Sequence, residues 1–132
     1  MNPYPRYDEI DMDIPVSYDI RTSDSEQTII FLDKQVNKDT YFIDAGAHIG
    51  LISVPVIFHK HPKKSVLVEP TDGAFRLLKE NVRRNNLENV VLDNRVLLDK
   101  IGRCDFFDLT PVKSEAQSSV YRVTERDGAT KV

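Results

Sequence analysis

The order of apolar and polar positions divides the chain into an irregular first part and a regular second part. Residues 1–27 are polar, contain three prolines and show no clear period, which predicts an irregular arm with a short strand near 16–20. The apolar cluster 28–32 predicts either a strand or the first turn of a helix. We therefore expect an N-terminal arm over residues 1–40 and a regular domain over residues 41–132.

The regular part begins with two short apolar runs separated by a helical segment. Runs 41–43 and 65–68 are typical of strands buried in a parallel sheet. Segment 51–58 is apolar and predicts the helix that packs on that sheet. Pro55 lies inside this segment, where a proline removes a backbone hydrogen bond and tends to kink or end a helix.

A second helix and a third strand follow. Thr71 or Asp72 is a good N-cap for a helix that runs to about Asn85, and the third strand is predicted over residues 89–98. The apolar stripe of that helix consists of Phe75, Leu78 and Val82. Strand, helix, strand, helix, strand is the order of a parallel α/β sheet with right-handed crossovers, so a Rossmann-like fold is predicted.

The last part of the chain contains weaker signals. Residues 103–109 and 118–124 predict two further short strands that form a hairpin. A complete doubly wound sheet needs a fourth strand and more, and these do not fit into the 34 residues that follow position 98. The sequence therefore predicts an incomplete domain, either as a truncated protein or as a part of a longer one.

Charge and cysteine content narrow the class of protein. The formal net charge of −3 is too small to indicate a nucleic acid or an anionic membrane as partner. A lone cysteine and the lack of a membrane-length apolar run or a signal peptide predict a cytoplasmic protein. The second predicted helix carries four basic residues, which we interpret as a solvated face because exposed aromatic residues are not interleaved with them. These are Arg76, Lys79, Arg83 and Arg84.

Chemistry is expected in the turn that follows the first strand. Ligands of doubly wound sheets bind at the carboxyl ends of the strands. Asp44 ends the first strand, and Gly46 and Gly50 let the backbone approach a ligand closely because they have no Cβ. Glu69 ends the second strand 25 residues after Asp44, and an acid there can accept hydrogen bonds from both hydroxyls of a ribose.

The spacing of this turn indicates which nucleotide it holds. Pyrophosphate sites use G-x-G-x-x-G, whereas this turn reads D-x-G-x-x-x-G. A carboxylate beside the site repels a diphosphate but suits the ammonium and sulfonium charges of S-adenosylmethionine. The turn therefore predicts S-adenosylmethionine as cofactor, against the alternative of a glycine turn that only closes a strand–helix corner.

The sequence does not predict a metal site, a serine nucleophile or a phosphate-binding loop. His48, His59 and His61 lack the cysteine or carboxylate cluster that a metal site needs, so no metal is expected. The sequence contains neither a G-x-S-x-G nucleophile elbow nor a phosphate-binding G-K-[ST] motif.

The segment 41–50, Y-F-I-D-A-G-A-H-I-G, resembles the first motif of the FkbM family of S-adenosylmethionine-dependent methyltransferases, F-D-V-G-A-N-I-G. Segment 66–70, an apolar run ending in Glu-Pro, resembles its second-strand motif, and the similarity extends to about residue 123. It includes Phe75, Leu78, Asn81, Asn85, Asn89 and Val90.

The resemblance implies a role for each matching residue. Asp44 and Gly46 would border the methionine end of the cofactor, Gly50 would allow close helix packing, and Glu69 would hold the ribose. Ala47 and His48 complete the cofactor-binding motif, with His48 in place of the usual Asn. The family implies O-methyl transfer to a hydroxyl of a small molecule or glycan. No catalytic residue is assigned, because the acceptor base is expected outside the matching region.

Two alternatives remain open from the sequence alone. The chain can be a catalytically inactive binding or interaction module, whose open sheet edges favour self-association. It can also be half of a nicotinamide-dependent oxidoreductase, which shares the fold and Glu69 but is disfavoured by the missing third glycine.

Overall fold

The structure is a computed structural model and describes residues 9–13, 23–108 and 130–131. The chain divides into two compact units, Met1–Arg95 and Val96–Val132, each of which is described by itself. The strand predicted near 16–20 and the hairpin strand predicted over 118–124 lie outside the described residues.

The first unit contains a three-stranded parallel sheet. Its strands are β1 (Tyr41–Ala45), β2 (Lys64–Val68) and β3 (Val90–Asp93), in the order β1-β2-β3. The crossovers contain α2 (Ser53–Lys60) and α3 (Asp72–Arg84). The predicted Rossmann-like sheet with flanking helices is confirmed.

Helix α1 (Ser23–Gln35) precedes the sheet. It contains the apolar cluster 28–32, so the strand alternative for that cluster is wrong. The cluster is helical, but it lies in the middle of the helix rather than in its first turn. Ile29 and Val36 are buried and Leu32 is partly buried, which places residues at helical spacing against the common core. The separation of the N-terminal arm from the domain stays a prediction.

Pro55 does not break α2, contrary to the expectation from the sequence. The helix begins at Ser53, two residues later than predicted, so Pro55 is its third residue. N–H groups in the first turn of a helix have no partner within that helix, and a proline there removes no helical hydrogen bond.

The first strand is buried on one face only, which corrects the expectation of a fully buried run. Phe42 is buried, but Tyr41 and Ile43 are 65% and 67% exposed, and Val91 on β3 is 43% exposed. Successive side chains of a strand point to opposite faces of the sheet. Phe42 and Leu67 therefore belong to the core, whereas Ile43 and Val91 lie on the other face.

The third strand and the C-terminal strands also differ from prediction. Strand β3 ends at Asp93 rather than near residue 98. In the second unit, β4 (Phe107–Asp108) lies within the predicted run 103–109 but pairs antiparallel with β5 (Thr130–Lys131). The tail that contains β5 had no strand signal in the sequence.

Within the described residues, no helix has the length and apolar character needed to cross a membrane.

Candidate functional site

The parallel strands bring the predicted site residues to one edge of the sheet. Ala45, Val68 and Asp93 are register partners at the carboxyl ends of the three strands. The segment after β1 and the residue after β2 therefore meet there. The residues that this edge gathers are Asp44, Gly46, Ala47, His48, Gly50 and Glu69.

The glycine turn is fixed to the end of β2 by backbone hydrogen bonds. The N–H groups of Gly46 and Ala47 both donate to the Val68 carbonyl oxygen, at 2.8 and 2.9 Å. Gly46 has φ +94° and Gly50 has φ +90°, a region in which L side chains are strained. His48 also has a positive φ of 54°, which is uncommon outside glycine but commoner for Asn, Asp and His than for other residues.

Glu69 ties the glycine turn to the start of α3. Its carboxylate is buried and accepts the His48 N–H at 2.9 Å on one oxygen and the Thr71 N–H at 2.8 Å on the other. Thr71 is the N-cap residue of α3, as predicted, but its own side chain makes no capping bond. The Glu69 carboxylate therefore does part of the capping and holds the turn at the same time.

Asp44 is the fourth residue of β1 and is half-buried. It accepts a hydrogen bond from the Ser53 hydroxyl in the first turn of α2. Burial raises the pKa of the Asp44 carboxyl, the Ser53 hydrogen bond opposes this rise, and the nearby charge of Glu69 adds to it. The site therefore holds an acidic group whose negative charge lacks full compensation from the protein.

Gly50 allows the end of the turn to lie against one side chain of α2 and one of α3. A Cβ at this position would lie 2.7 Å from Val54 Cγ2 and 2.9 Å from Leu78 Cδ1. At Gly46, by contrast, nothing lies within 4 Å of the position that a Cβ would take. Gly50 is thus required by packing, whereas Gly46 leaves open space at the edge of the sheet.

Asp93 and Asn94 also belong to this edge, although the strand predicted over residues 89–98 placed them in its middle. Since β3 ends at Asp93, this residue and Asn94 lie at its carboxyl end. The Asn94 amide donates to the Glu69 carbonyl oxygen at 2.9 Å. Asp93 pairs with Arg95 at 2.5 Å, and this hydrogen bond lowers the pKa of Asp93. The three successive polar residues 93–95 were the signal that the strand had ended.

Asn81 and Ser53 also contact the site, although the sequence did not predict this. Both side chains are fully buried. Asn81 donates its amide to the Ile49 carbonyl oxygen at 2.9 Å, and Ser53 donates to Asp44. A buried amide in a helical stripe indicates a polar contact, but its partner is 32 residues distant in the chain.

Within the described part of the chain, no group of three or more His, Cys, Asp or Glu side chains is arranged to hold a metal ion.

A parallel sheet with this glycine turn, and an acid directly after its second strand, is typical of a Rossmann-like domain, and the solved structures with this fold include methyltransferases. Residues 9–109 match the TRM5/TYW2 methyltransferase domain, and the chain belongs to this family. No curated protein matches the chain.

Solved structures agree on the fold. M. jannaschii TYW2 in complex with AdoMet is 22% identical, covers 63% of this chain and 39% of its own, and has a TM-score of 0.54. P. horikoshii TYW2 in complex with MeSAdo is 21% identical, covers 70% of this chain and 35% of its own, and has a TM-score of 0.59. The chain thus spans less than two fifths of the length of either protein.

The resemblance to the FkbM family is wrong, because the match over residues 9–109 is to the TRM5/TYW2 domain. The error has a physical reason. The features behind the resemblance are the glycine turn and the strands that flank it, and they carry no information on the methyl acceptor. O-methyl transfer to a small-molecule or glycan hydroxyl was implied only by that resemblance and falls with it. The nicotinamide alternative falls for the same reason.

The expectation that no nucleic acid is a partner is also wrong for this family. The family takes its name from Trm5 and TYW2. The weak net charge misled because a whole-chain sum hides local basic surfaces. The cofactor prediction is confirmed at the level of the family, whose members are S-adenosylmethionine-dependent methyltransferases. The individual cofactor-binding residues, the cytoplasmic location and self-association stay predictions.

Proposed function

We propose that this chain forms the cofactor-binding part of an S-adenosylmethionine-dependent tRNA methyltransferase. The main support is the glycine turn, which the buried Glu69 carboxylate holds in place through the His48 N–H at the carboxyl edge of the sheet. Family membership supports the reaction class, and the tRNA complex of Trm5 supports the substrate class.

The residues at the edge fit the cofactor in charge and in shape. Asp44 offers an incompletely compensated negative charge, which suits the ammonium and sulfonium groups. Gly46 leaves open space where a side chain would stand. Each Glu69 oxygen has a further lone pair beyond its one backbone bond and can accept a ribose hydroxyl. When bound, the cofactor supplies the methyl group, and the role of these residues is to hold and orient it.

The substitution Asp44→Asn tests the cofactor site. We expect it to weaken binding of S-adenosylhomocysteine about 10-fold or more, because it removes a charged partner of the ligand's ammonium. It should also stabilise the ligand-free protein at neutral pH. The folded state holds the Asp44 proton to higher pH than the unfolded chain, so stability falls as pH rises through the raised pKa, and Asn removes this loss. Isothermal titration and denaturant unfolding measure the two effects.

Asp39→Asn is the matched control, because Asp39 is exposed outside the site and its substitution makes the same change of charge. The Asp39→Asn substitution should change neither the affinity for S-adenosylhomocysteine nor the free energy of unfolding. If the unsubstituted protein binds no S-adenosylhomocysteine at millimolar concentration, the proposed cofactor role is wrong.

The exposed side of α3 carries the basic surface that fits an RNA backbone. Arg76, Lys79 and Arg83 recur at three- and four-residue spacing and line one surface groove of about 700 Å³. Arg83 and Arg84 are paired with Glu80, whose pKa they lower to about 2. Because Arg83 and Arg84 are paired with Glu80, we expect Arg76 and Lys79 to make the main contacts with phosphate.

The double substitution Arg76→Ala and Lys79→Ala tests this surface. We expect weaker tRNA binding and a salt dependence of affinity whose slope is reduced by about one for each cation removed. Filter binding or fluorescence anisotropy over a range of salt concentrations measures both. The control replaces the exposed Lys34 and Lys38 by alanine, which makes the same change of charge on another surface. Equal effects of the two double variants would contradict a specific role for α3.

A further inference from the structure

The N-terminal segment 9–13 is attached to α3 and its C-cap by two side-chain amides, each of which bonds to both the N–H and the carbonyl of one residue in the segment. The Asp13 N–H donates to Asn81 Oδ1 at 2.6 Å, and Asn81 Nδ2 donates to the Asp13 carbonyl at 3.4 Å. The Asp11 N–H donates to Asn85 Oδ1 at 2.9 Å, and Asn85 Nδ2 donates to the Asp11 carbonyl at 2.7 Å. We call these two pairs of bonds the amide ladder.

The spacing of the amide ladder follows from ordinary backbone geometry. Residues 81 and 85 are one helical turn apart, a rise of about 6 Å. Residues 11 and 13 of an extended segment are about 6.6 Å apart, so both pairs form together. Between them, Met12 is partly buried against the core, and Ile10 is buried within it. An ion pair between Arg84 and Asp11 at 3.2 Å adds to this end of the ladder.

Asn81 is also in contact with the cofactor turn. The same Nδ2 that reaches Asp13 donates to the Ile49 carbonyl at 2.9 Å. Ile49 lies between His48, whose N–H is held by Glu69, and Gly50, which has a positive φ. The turn is thus held from two sides, by a carboxylate on the N–H of one residue and by an amide on the carbonyl of the next.

We propose that Asn81 is a positioning residue that couples segment 9–13 to the glycine turn, so that binding of an adenosyl cofactor and seating of this segment favour each other. The cofactor part of this inference rests on the proposed function. Its physical basis is that the fully buried Asn81 side-chain amide hydrogen-bonds to the backbone of the segment at Asp13 and to the backbone of the turn at Ile49. Displacing the segment removes partners of that amide, and displacing the turn does the same. Coupling of this kind is reciprocal by thermodynamic necessity.

Hydrogen exchange of the ligand-free protein tests the coupling without the cofactor. Asn85→Ala removes the Asp11 pair at a half-buried position, together with the bond from Asn85 Nδ2 to the Asn81 carbonyl oxygen. It leaves every hydrogen bond of the Asn81 side chain in place. We expect exchange to accelerate in segment 9–13 and also, about 2-fold or more, in the turn 46–50. Acceleration confined to the segment would overturn the coupling.

The same measurement with S-adenosylhomocysteine tests the link to the cofactor. Saturating ligand should slow exchange in segment 9–13 about 5-fold or more, the lower end of ordinary coupling between sites. Asn81→Ala should abolish this ligand effect, whereas Asn85→Ala should retain it in part. A merely structural role for Asn81 would lower the melting temperature and leave the ligand effect intact.

The outcomes separate the two proposals. If the ligand binds but exchange in segment 9–13 does not change, the coupling is wrong and the cofactor site stands. If the unsubstituted protein does not bind the ligand, the proposed function fails, and the ligand-free comparison with Asn85→Ala still decides whether the segment and the turn are coupled. Because Asn85 lies outside the buried core, that variant remains informative if Asn81→Ala fails to fold.

Discussion

Replacing Gly50 by alanine is expected to lower the free energy of unfolding by about 3 kcal/mol, the sum of two penalties. The backbone at φ +90° strains any L side chain by about 1–2 kcal/mol. Overpacking adds about 1–3 kcal/mol. The new Cβ would lie 2.7 Å from Val54 and 2.9 Å from Leu78, and both of these side chains are fully buried and cannot move aside freely. Urea or guanidinium unfolding measures the loss.

Gly46→Ala is the matched control, because it shares the backbone strain without the steric conflict. Gly46 has φ +94°, but nothing lies within 4 Å of its Cβ position. We expect a loss of only about 1–2 kcal/mol. If the two variants were equally destabilised, the close approach of Gly50 to Val54 and Leu78 would not be a rigid feature of the fold. The comparison thus separates the conformational need for glycine from the packing need.

The order of elements was predictable because its signals are local. Apolar runs identified the two strands β1 and β2, and an N-cap followed by an apolar stripe identified α3. The glycine turn could be predicted for the same reason, since Asp44, Gly46 and Gly50 lie within seven residues. Even the error at Pro55 was local, because it came from the start of α2 being placed two residues too early.

Features that depend on distant partners could not be predicted. Nothing near Asn81 in the sequence indicates that its amide meets Ile49 and Asp13, which are 32 and 68 residues away. Similarly, the exposure of Tyr41 and Ile43 depends on which face of the sheet is covered, whereas their apolar character was read as burial on both faces. In both cases the contacts made in the folded protein, and not the local sequence pattern, determine the environment of the side chain.

Family assignment failed for a different reason. The residues that hold the cofactor are set by the chemistry of the cofactor, so unrelated acceptor specificities share them. An acid near the end of β1, a glycine turn and Glu69 therefore predict the adenosyl ligand well and the methyl acceptor poorly. The basic residues of α3 were interpreted as a solvated face because exposed aromatic residues are not interleaved with them, so the proposed RNA contact was not predicted from the sequence.

Substitution of Glu69 is expected to have the largest effect on the cofactor site, because this side chain serves the fold and the ligand at once. Glu69→Ala leaves the N–H groups of His48 and Thr71 without their carboxylate, at a cost of about 1–3 kcal/mol each. Glu69→Gln retains the shape and one acceptor oxygen, but its NH₂ group faces a donor. We therefore expect the glutamine variant to lose about half as much stability, as measured by denaturant unfolding.

The glutamine variant also separates ribose binding from support of the turn. If Glu69 accepts ribose hydroxyls, Glu69→Gln should weaken S-adenosylhomocysteine binding about 10-fold or more. For an analogue without the 2′-hydroxyl, Glu69→Gln should reduce the affinity much less, because this analogue already lacks the hydroxyl that Glu69 would bind. Equal losses for the two ligands would mean that Glu69 acts only through the His48 N–H and the turn. The role of Glu69 would then be the same as that of Asn81, namely to hold the turn rather than to bind the ligand.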